Sequence, residues 1–266
     1  MNPGPIGLFD SGLGGVTVLR ELRAALPNEP IVYLADQARC PYGDRDEQTL
    51  RGFARQCVDY LIGAGAKLMV VACNTASAAA LESLRAEWPG FPFVGMVPAV
   101  KPAVLETRTG VVGVLATPTT MQGKLLRDVL ASWRTDSVLV IERIGAGLVE
   151  LVEAGAWDTP EARQLLASHL APLLAAGADR VVLGCTHYPL LTPLIRELAP
   201  SLAIEDAGPA VARQAARLLA AHDLVHPTGD AGVRCFTTGD STVFAARLRA
   251  LGVPDDAAVQ HVQLDR

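Results

Sequence analysis

Residues 61–75 read LIGAGAKLMVVACNT and residues 173–187 read LLAAGADRVVLGCTH, and the two align without a gap. Each passes from a helix end through a Gly-Ala turn into a short apolar run that stops at a cysteine. An apolar run of that length between turn residues is the pattern of a strand buried on both faces, as in a parallel sheet. A weaker echo joins IGLFDSG (6–12) to VGVLATP (112–118), in the same order along the chain. Both pairs lie about 110 residues apart, far beyond the period of a solenoid. The spacing predicts two similar α/β units.

The rest of the chain agrees. Further strand-like runs are PIVYLAD (30–36), FPFVGMV (91–97), SVLVIE (137–142), LAIEDA (202–207) and GVRCFTT (232–238), with Ala/Leu/Arg-rich stretches between them. Helices are expected over Val16–Ala25, Asp46–Gly63 and Thr159–Ala176, the last with Thr159 as N-cap and Pro160 at the first helical position. The fold class is α/β. Ligands of open α/β sheets bind beyond the carboxyl ends of the strands. If the units are equivalent, Cys73 and Cys185 hold matching strand ends, and two facing lobes bring them to one cleft from opposite sides.

Composition narrows the function. Half of the 266 residues are hydrophobic and 19% are charged, which suits buried cores and not disorder. The net charge is −5 and lysine occurs only at 67, 101 and 124, so the basic footprint of a nucleic-acid binder is missing. MNPGPIGLFDSG has no basic segment before an apolar one, and no run reaches the roughly 18 apolar residues of a membrane span. A cytoplasmic protein is expected, without a nucleic-acid or membrane partner. Its five cysteines (40, 57, 73, 185 and 235) should be reduced, and without a C-x-x-C pair no disulfide framework or metal site is expected.

Most free cysteines only fill space. Two features set Cys73 and Cys185 apart. Asn74, Thr75 and Ser77 follow Cys73 directly, and AAALESL then starts a helix whose positive end the thiol should meet. Cys185 stands between Gly184 and Thr186–His187, with a turn at Pro189. Cys57 and Cys235 read as core, and Cys40 shows no supporting polar partner in sequence.

Asp10 and Ser11 end the first strand in GLFDSGLGG, a turn that invites comparison with the dinucleotide fingerprint. Thr17 stands at the third glycine position, and Asp10 is the wrong charge for a pyrophosphate; an ammonium ligand would welcome it. In ADQARCPYGDR (35–45), Pro41 and Gly43 fix the backbone around Tyr42, which can seat a ligand by main-chain donors. Thr117 and Thr120, after another strand end, offer hydroxyls to a carboxylate.

Taken in order, FDSGLGG, PYG, CNTAS and GCTHYPLL resemble the glutamate racemase family over essentially the whole chain, and FTTGD (236–240) adds to the likeness. The resemblance implies two pseudo-symmetric α/β domains with the ligand between them. The second domain (98–207) is inserted in the first (1–97 with 208–266). It implies that Cys73 and Cys185 are the catalytic bases and that Asp10 and His187 support them. Glu153, in LVELVEAG, resembles a further acidic position near the second thiol. Ser11, Pro41, Tyr42, Gly43, Asn74, Thr75, Thr117, Thr120, Thr186 and His187, with Asp10, stand as substrate contacts. The implied substrate is glutamate and no cofactor is required; D-glutamate for peptidoglycan is the implied product, and a homodimer is left open. The chain departs from the pattern at Gln37, Cys40, Pro98 and in ERIGAG, none of which touches the thiols.

Racemisation removes a proton from one face of Cα and returns one to the other, so two opposed groups are needed. A free cysteine thiolate at pH 7 costs roughly 2 kcal/mol, which a helix N-terminus and a histidine can supply. Rival readings are an aspartate racemase or a one-thiol decarboxylase on this scaffold, a cysteine hydrolase using Cys185 and His187, and a non-catalytic two-lobed binder. The paired thiols disfavour the one-thiol enzyme. G-C-T-H is not a strained G-x-S-x-G elbow, and a binder has no need of two thiols in its cleft.

Overall fold

The structure, a computed structural model, describes residues 4–133, 137–227, 232–253 and 258–264. The chain runs β1 (Ile6–Asp10), α1 (Gly15–Ala25), β2 (Ile31–Ala35), α2 (Glu47–Gly63), β3 (Leu68–Val71), α3 (Asn74–Glu87) and β4 (Phe93–Gly95). It continues with α4 (Val100–Glu106), β5 (Val111–Ala116), α5 (Pro118–Gln122), α6 (Lys124–Trp133), β6 (Leu139–Ile144), α7 (Leu148–Glu153), α8 (Pro160–Ala175), β7 (Arg180–Gly184), α9 (Thr192–Leu198) and β8 (Ala203–Glu205). Last come α10 (Gly208–Ala221), β9 (Val233–Thr237), α11 (Ser241–Ala250) and β10 (Val259–His261).

The strands form two sheets in the orders β10-β9-β2-β1-β3-β4 and β6-β5-β7-β8, every pairing parallel. The four strands β2-β1-β3-β4 therefore correspond one for one to β6-β5-β7-β8. Register agrees with the sequence echoes. Ile6 pairs with Leu68 in the first sheet, and Val112, its echo partner, pairs with Arg180, the echo partner of Leu68.

Both faces of the central strands are covered, which is why they read as unbroken apolar runs. Ile6, Leu8, Leu68 and Val70 point into one core with α1 and α10, while Phe9, Met69 and Val71 point into another with α2 and α3. In the second sheet Leu115, Val181 and Leu183 join the first of these cores, and Val112, Val114 and Val182 face α4 and α6. One core thus runs through both sheets.

Helix starts follow the expected chemistry. The Asp46 side chain accepts from Thr49 N–H and Thr159 from Ala162 N–H, with Pro160 opening α8. Strand β10 carries no strand signal in the sequence because it is three residues long, mostly exposed and on an edge. Edge strand β6 is only half-buried, with Leu139 and Ile144 exposed. Among the described residues, no helix is long and apolar enough to cross a membrane.

Candidate active site

Cys73 follows β3 and caps α3: its sulfur accepts from Ala76 N–H at 3.4 Å, and its thiol donates to Ser11 Oγ at 3.6 Å. Cys185 follows β7, and its sulfur lies 3.7 Å from His187 Nδ1. Both thiols line one cavity, together with Ser11, Tyr42, Gly43, Asn74, Thr75, Thr117, Val149, Thr186 and His187. The echoes explain this membership. The alignment of 61–75 with 173–187 pairs Cys73 with Cys185, Asn74 with Thr186 and Thr75 with His187; the weaker echo pairs Ser11 with Thr117. All eight face the same space, four from each unit. The free volume there is only about 10 Å³, room for about one water molecule, so an amino acid enters only when the walls move apart.

Two contacts hold the units against each other at the cavity. Thr75 Oγ1 lies 2.9 Å from Thr117 Oγ1, and Thr186 Oγ1 donates to Asp10 Oδ2 at 3.0 Å. Asp10 is fully buried at the end of β1 and also accepts from Gly12 N–H at 2.9 Å. Burial pushes its carboxyl above the usual range, against the pull of His187. Asn74 is buried, yet neither its Oδ1 nor its Nδ2 has a hydrogen-bond partner. A buried amide left unpaired costs about 1–3 kcal/mol, and its position on the cavity wall points to a polar ligand.

The second thiol is backed by a charged relay. His187 Nε2 lies 2.6 Å from Glu153 Oε1, which also accepts from Leu13 N–H at 2.5 Å; Gln37 Nε2 donates to Glu153 Oε2 at 2.8 Å. Burial opposes the charge of both groups. It is outweighed at His187 by Cys185, Cys40 and Glu153, which hold the imidazole well above its ordinary value. It is outweighed at Glu153 by His187, Leu13 and Gln37, which hold the carboxyl below its own. Both shifts favour the charged forms, imidazolium at His187 and carboxylate at Glu153.

The glycine-rich turn follows from the same close approach. A Cβ at Gly12 would overlap Glu153 Oε1, and one at Gly14 would overlap His187 Nδ1 and Thr186 Oγ1. The turn receives the other unit, not a pyrophosphate. Asp36, the acid at dinucleotide spacing, is spent on Arg39 Nε at 2.6 Å, Thr238 Oγ1 at 2.8 Å and the Tyr42 hydroxyl. Tyr42 therefore turns its phenol away from a ligand.

Some sequence expectations shift. Pro41 lines a neighbouring recess with Gly43 and Thr117, and Thr120 lies behind the wall, bonded to Thr117 Oγ1 at 2.9 Å. Cys40 does have polar partners: its sulfur clusters with Glu153 and His187. A thiolate at Cys73 costs more than that of a free cysteine. Burial first, and the Asp10 charge second, push that thiol from 9.0 up to about 12, about 4 kcal/mol beyond a free thiol. The helix N-terminus does not offset this, because Cys73 is 4% exposed and loses hydration with it. Gln37 and Val149 escaped sequence reading. Gln37 reaches Glu153 across 116 residues, and no local spacing records such a contact.

The profile of the Asp/Glu/Hydantoin racemase family matches residues 11–215. The chain belongs to this family. It is 55% identical over 261 residues to a glutamate racemase of Roseiflexus sp. (strain RS-1), covering 97% of this chain and 96% of that one. A glutamate racemase of Bacillus anthracis superposes with a TM-score of 0.86 at 32% identity, covering 99% of both chains. An Escherichia coli glutamate racemase, solved with L-glutamate and the activator UDP-MurNAc-ala, superposes at 0.84 with 32% identity, covering 99% and 100%.

His187 lies against both Cys185 and Glu153, and the Glu153 carboxylate is one of the groups that raise its pKa. Glu153→Gln removes a carboxylate that raises the His187 pKa, so the imidazolium is lost at a lower pH. We expect the alkaline limb of the kcat profile to move to lower pH, with kcat down about 10- to 100-fold, the worth of one charge-assisted hydrogen bond. An unmoved limb in steady-state assays across the pH range would rule this role out.

Proposed function

We propose that this chain interconverts L- and D-glutamate, with Cys73 and Cys185 exchanging one proton each with the two faces of Cα. The observation that carries the reading is the pair of thiols, on equivalent strand ends of two sheets, lining one cavity. Cys73 rests as a thiol, a ready acid. Cys185 faces the His187 imidazolium, a counter-charge for a thiolate. One thiolate takes the Cα proton, the other thiol returns one, and the roles exchange for the opposite enantiomer. When Cys73 must act as base, a substrate ammonium against Asp10 cancels the charge that disfavours its thiolate.

Two opposed groups answer the geometric need, so no cofactor is called for. The carbanion beside a carboxylate needs fixed donors, and Asn74, Thr75, Thr117 and Thr186 with the backbone N–H groups of the two turns supply them. Glutamate is favoured over aspartate by the relatives named above. Residues 1–97 with 208–266 and 98–207 act in this reading as two domains that part to admit substrate. The product suits cytoplasmic supply of D-glutamate for peptidoglycan.

The test is an assay of purified protein on each enantiomer of glutamate and aspartate, without added cofactor, in deuterated water. Glutamate should racemise, and the newly formed enantiomer should carry solvent deuterium at Cα. Product that retains the original hydrogen would exclude two opposed bases. Faster turnover of aspartate would reassign the substrate.

A further inference from the structure

Cys40 takes no part in the proton transfer, yet it does not sit in an apolar pocket. Its Sγ, a Glu153 carboxylate oxygen and a His187 ring nitrogen all lie within 4.8 Å of one another. Cys40 and Glu153 are half-buried, so the cluster has a side open to solvent. Gly12 makes the gathering possible: a Cβ there would stand 3.2 Å from Cys40 Sγ and overlap Glu153 Oε1. Leu13 N–H and Gln37 Nε2 already orient the carboxylate, as outer partners orient the ligands of built metal sites.

A thiolate, an imidazole and a carboxylate form a mixed donor set. Magnesium and calcium want oxygen shells, whereas zinc takes sulfur, nitrogen and oxygen together. Zinc bond lengths of about 2.0–2.3 Å place tetrahedral ligands about 3.3–3.7 Å apart, so movements of about 1 Å would close this cluster on the ion. Three protein ligands leave one position for water.

We propose that Cys40, Glu153 and His187 form a zinc site that switches the racemase off. On binding, Cys40 and His187 each release a proton to solvent, and sulfur, nitrogen and oxygen donate electron pairs to the metal. No group is oxidised or reduced. His187 is then held by the metal and no longer free to serve Cys185, whose sulfur lies 3.7 Å from its Nδ1.

The test uses metal-free protein with zinc at buffered free concentrations, and cobalt(II) as a spectroscopic stand-in. The parent, Cys40→Ala, Cys40→Ser and Cys73→Ala are compared, each activity being scaled to its own metal-free value. We expect thiolate-to-cobalt charge-transfer absorption in the parent and in Cys73→Ala, and its loss in both Cys40 variants. Half-inhibition of the Cys40 variants should need at least about tenfold more free zinc. An unchanged band or unchanged zinc sensitivity without Cys40 would overturn the proposal and place the metal on Cys73 and Cys185. Absence of the band in the parent at millimolar cobalt would overturn it as well. The cobalt spectrum needs no turnover, so it stands or falls apart from the glutamate assignment.

Discussion

Cys73→Ala and Cys185→Ala should each lose racemisation in both directions by about a thousandfold or more. Removing a positioned acid or base costs about 10²- to 10⁴-fold, and in the proposed mechanism each thiol serves as base for one enantiomer and as acid for the other. No direction escapes. Backbone donors, Asn74 and the threonines remain in both variants, so ligand binding should change far less than kcat. A finer signature follows from the geometry. Each variant keeps one thiol on one face of Cα, so it should still exchange the Cα hydrogen of one enantiomer with solvent, and the two variants should choose opposite enantiomers. Proton NMR in deuterated water reads this directly. Exchange of the same enantiomer by both variants would mean that the sulfurs share a face, and racemisation within tenfold of the parent would remove that thiol from the chemistry.

The next largest effect lies far from the thiols. Lys67 and Glu29 form an ion pair at 2.5 Å with side chains 5% and 2% exposed, at the amino end of the first sheet. Glu29 Oε1 also accepts from His226 N–H at 2.7 Å. Lys67→Met leaves a buried carboxylate with, among the described residues, only the His226 N–H as donor, so stability should fall by about 3–5 kcal/mol, the cost of breaking a buried pair from one side. Glu29→Gln in the same chain removes the stranded charge and keeps an acceptor for His226. The double variant should therefore recover at least about 2 kcal/mol of the loss. Urea unfolding of the parent and the two variants measures both numbers. A single variant within about 1 kcal/mol of the parent would show that solvent already reaches the pair.

Much of the architecture was legible because parallel strands buried on both faces leave unbroken apolar runs. IGLFD, IVYLA, LMVV and RVVLG all fall inside the expected runs, and the echo of 61–75 in 173–187 identifies structurally equivalent strands. Strand β10 was not legible, since three mostly exposed residues on an edge carry neither alternation nor a long apolar run.

The site divides in the same way. Cysteine after strand and before turn is a local pattern, and it named both thiols along with Asn74, Thr75, Thr186 and His187. Local patterns carry sequence, not desolvation or long-range approach. Only the folded chain decided that burial lifts Cys73 to about 12. It also decided that Gln37 and Leu13 grip Glu153 from the other unit, that Asp36 serves the interior, and that Cys40 meets the His187–Glu153 pair. Backbone hydrogen bonding and apolar periodicity act over a few residues and are written into spacing. Hydration loss and contacts between the two sheets depend on which surfaces meet, and that is settled only in three dimensions.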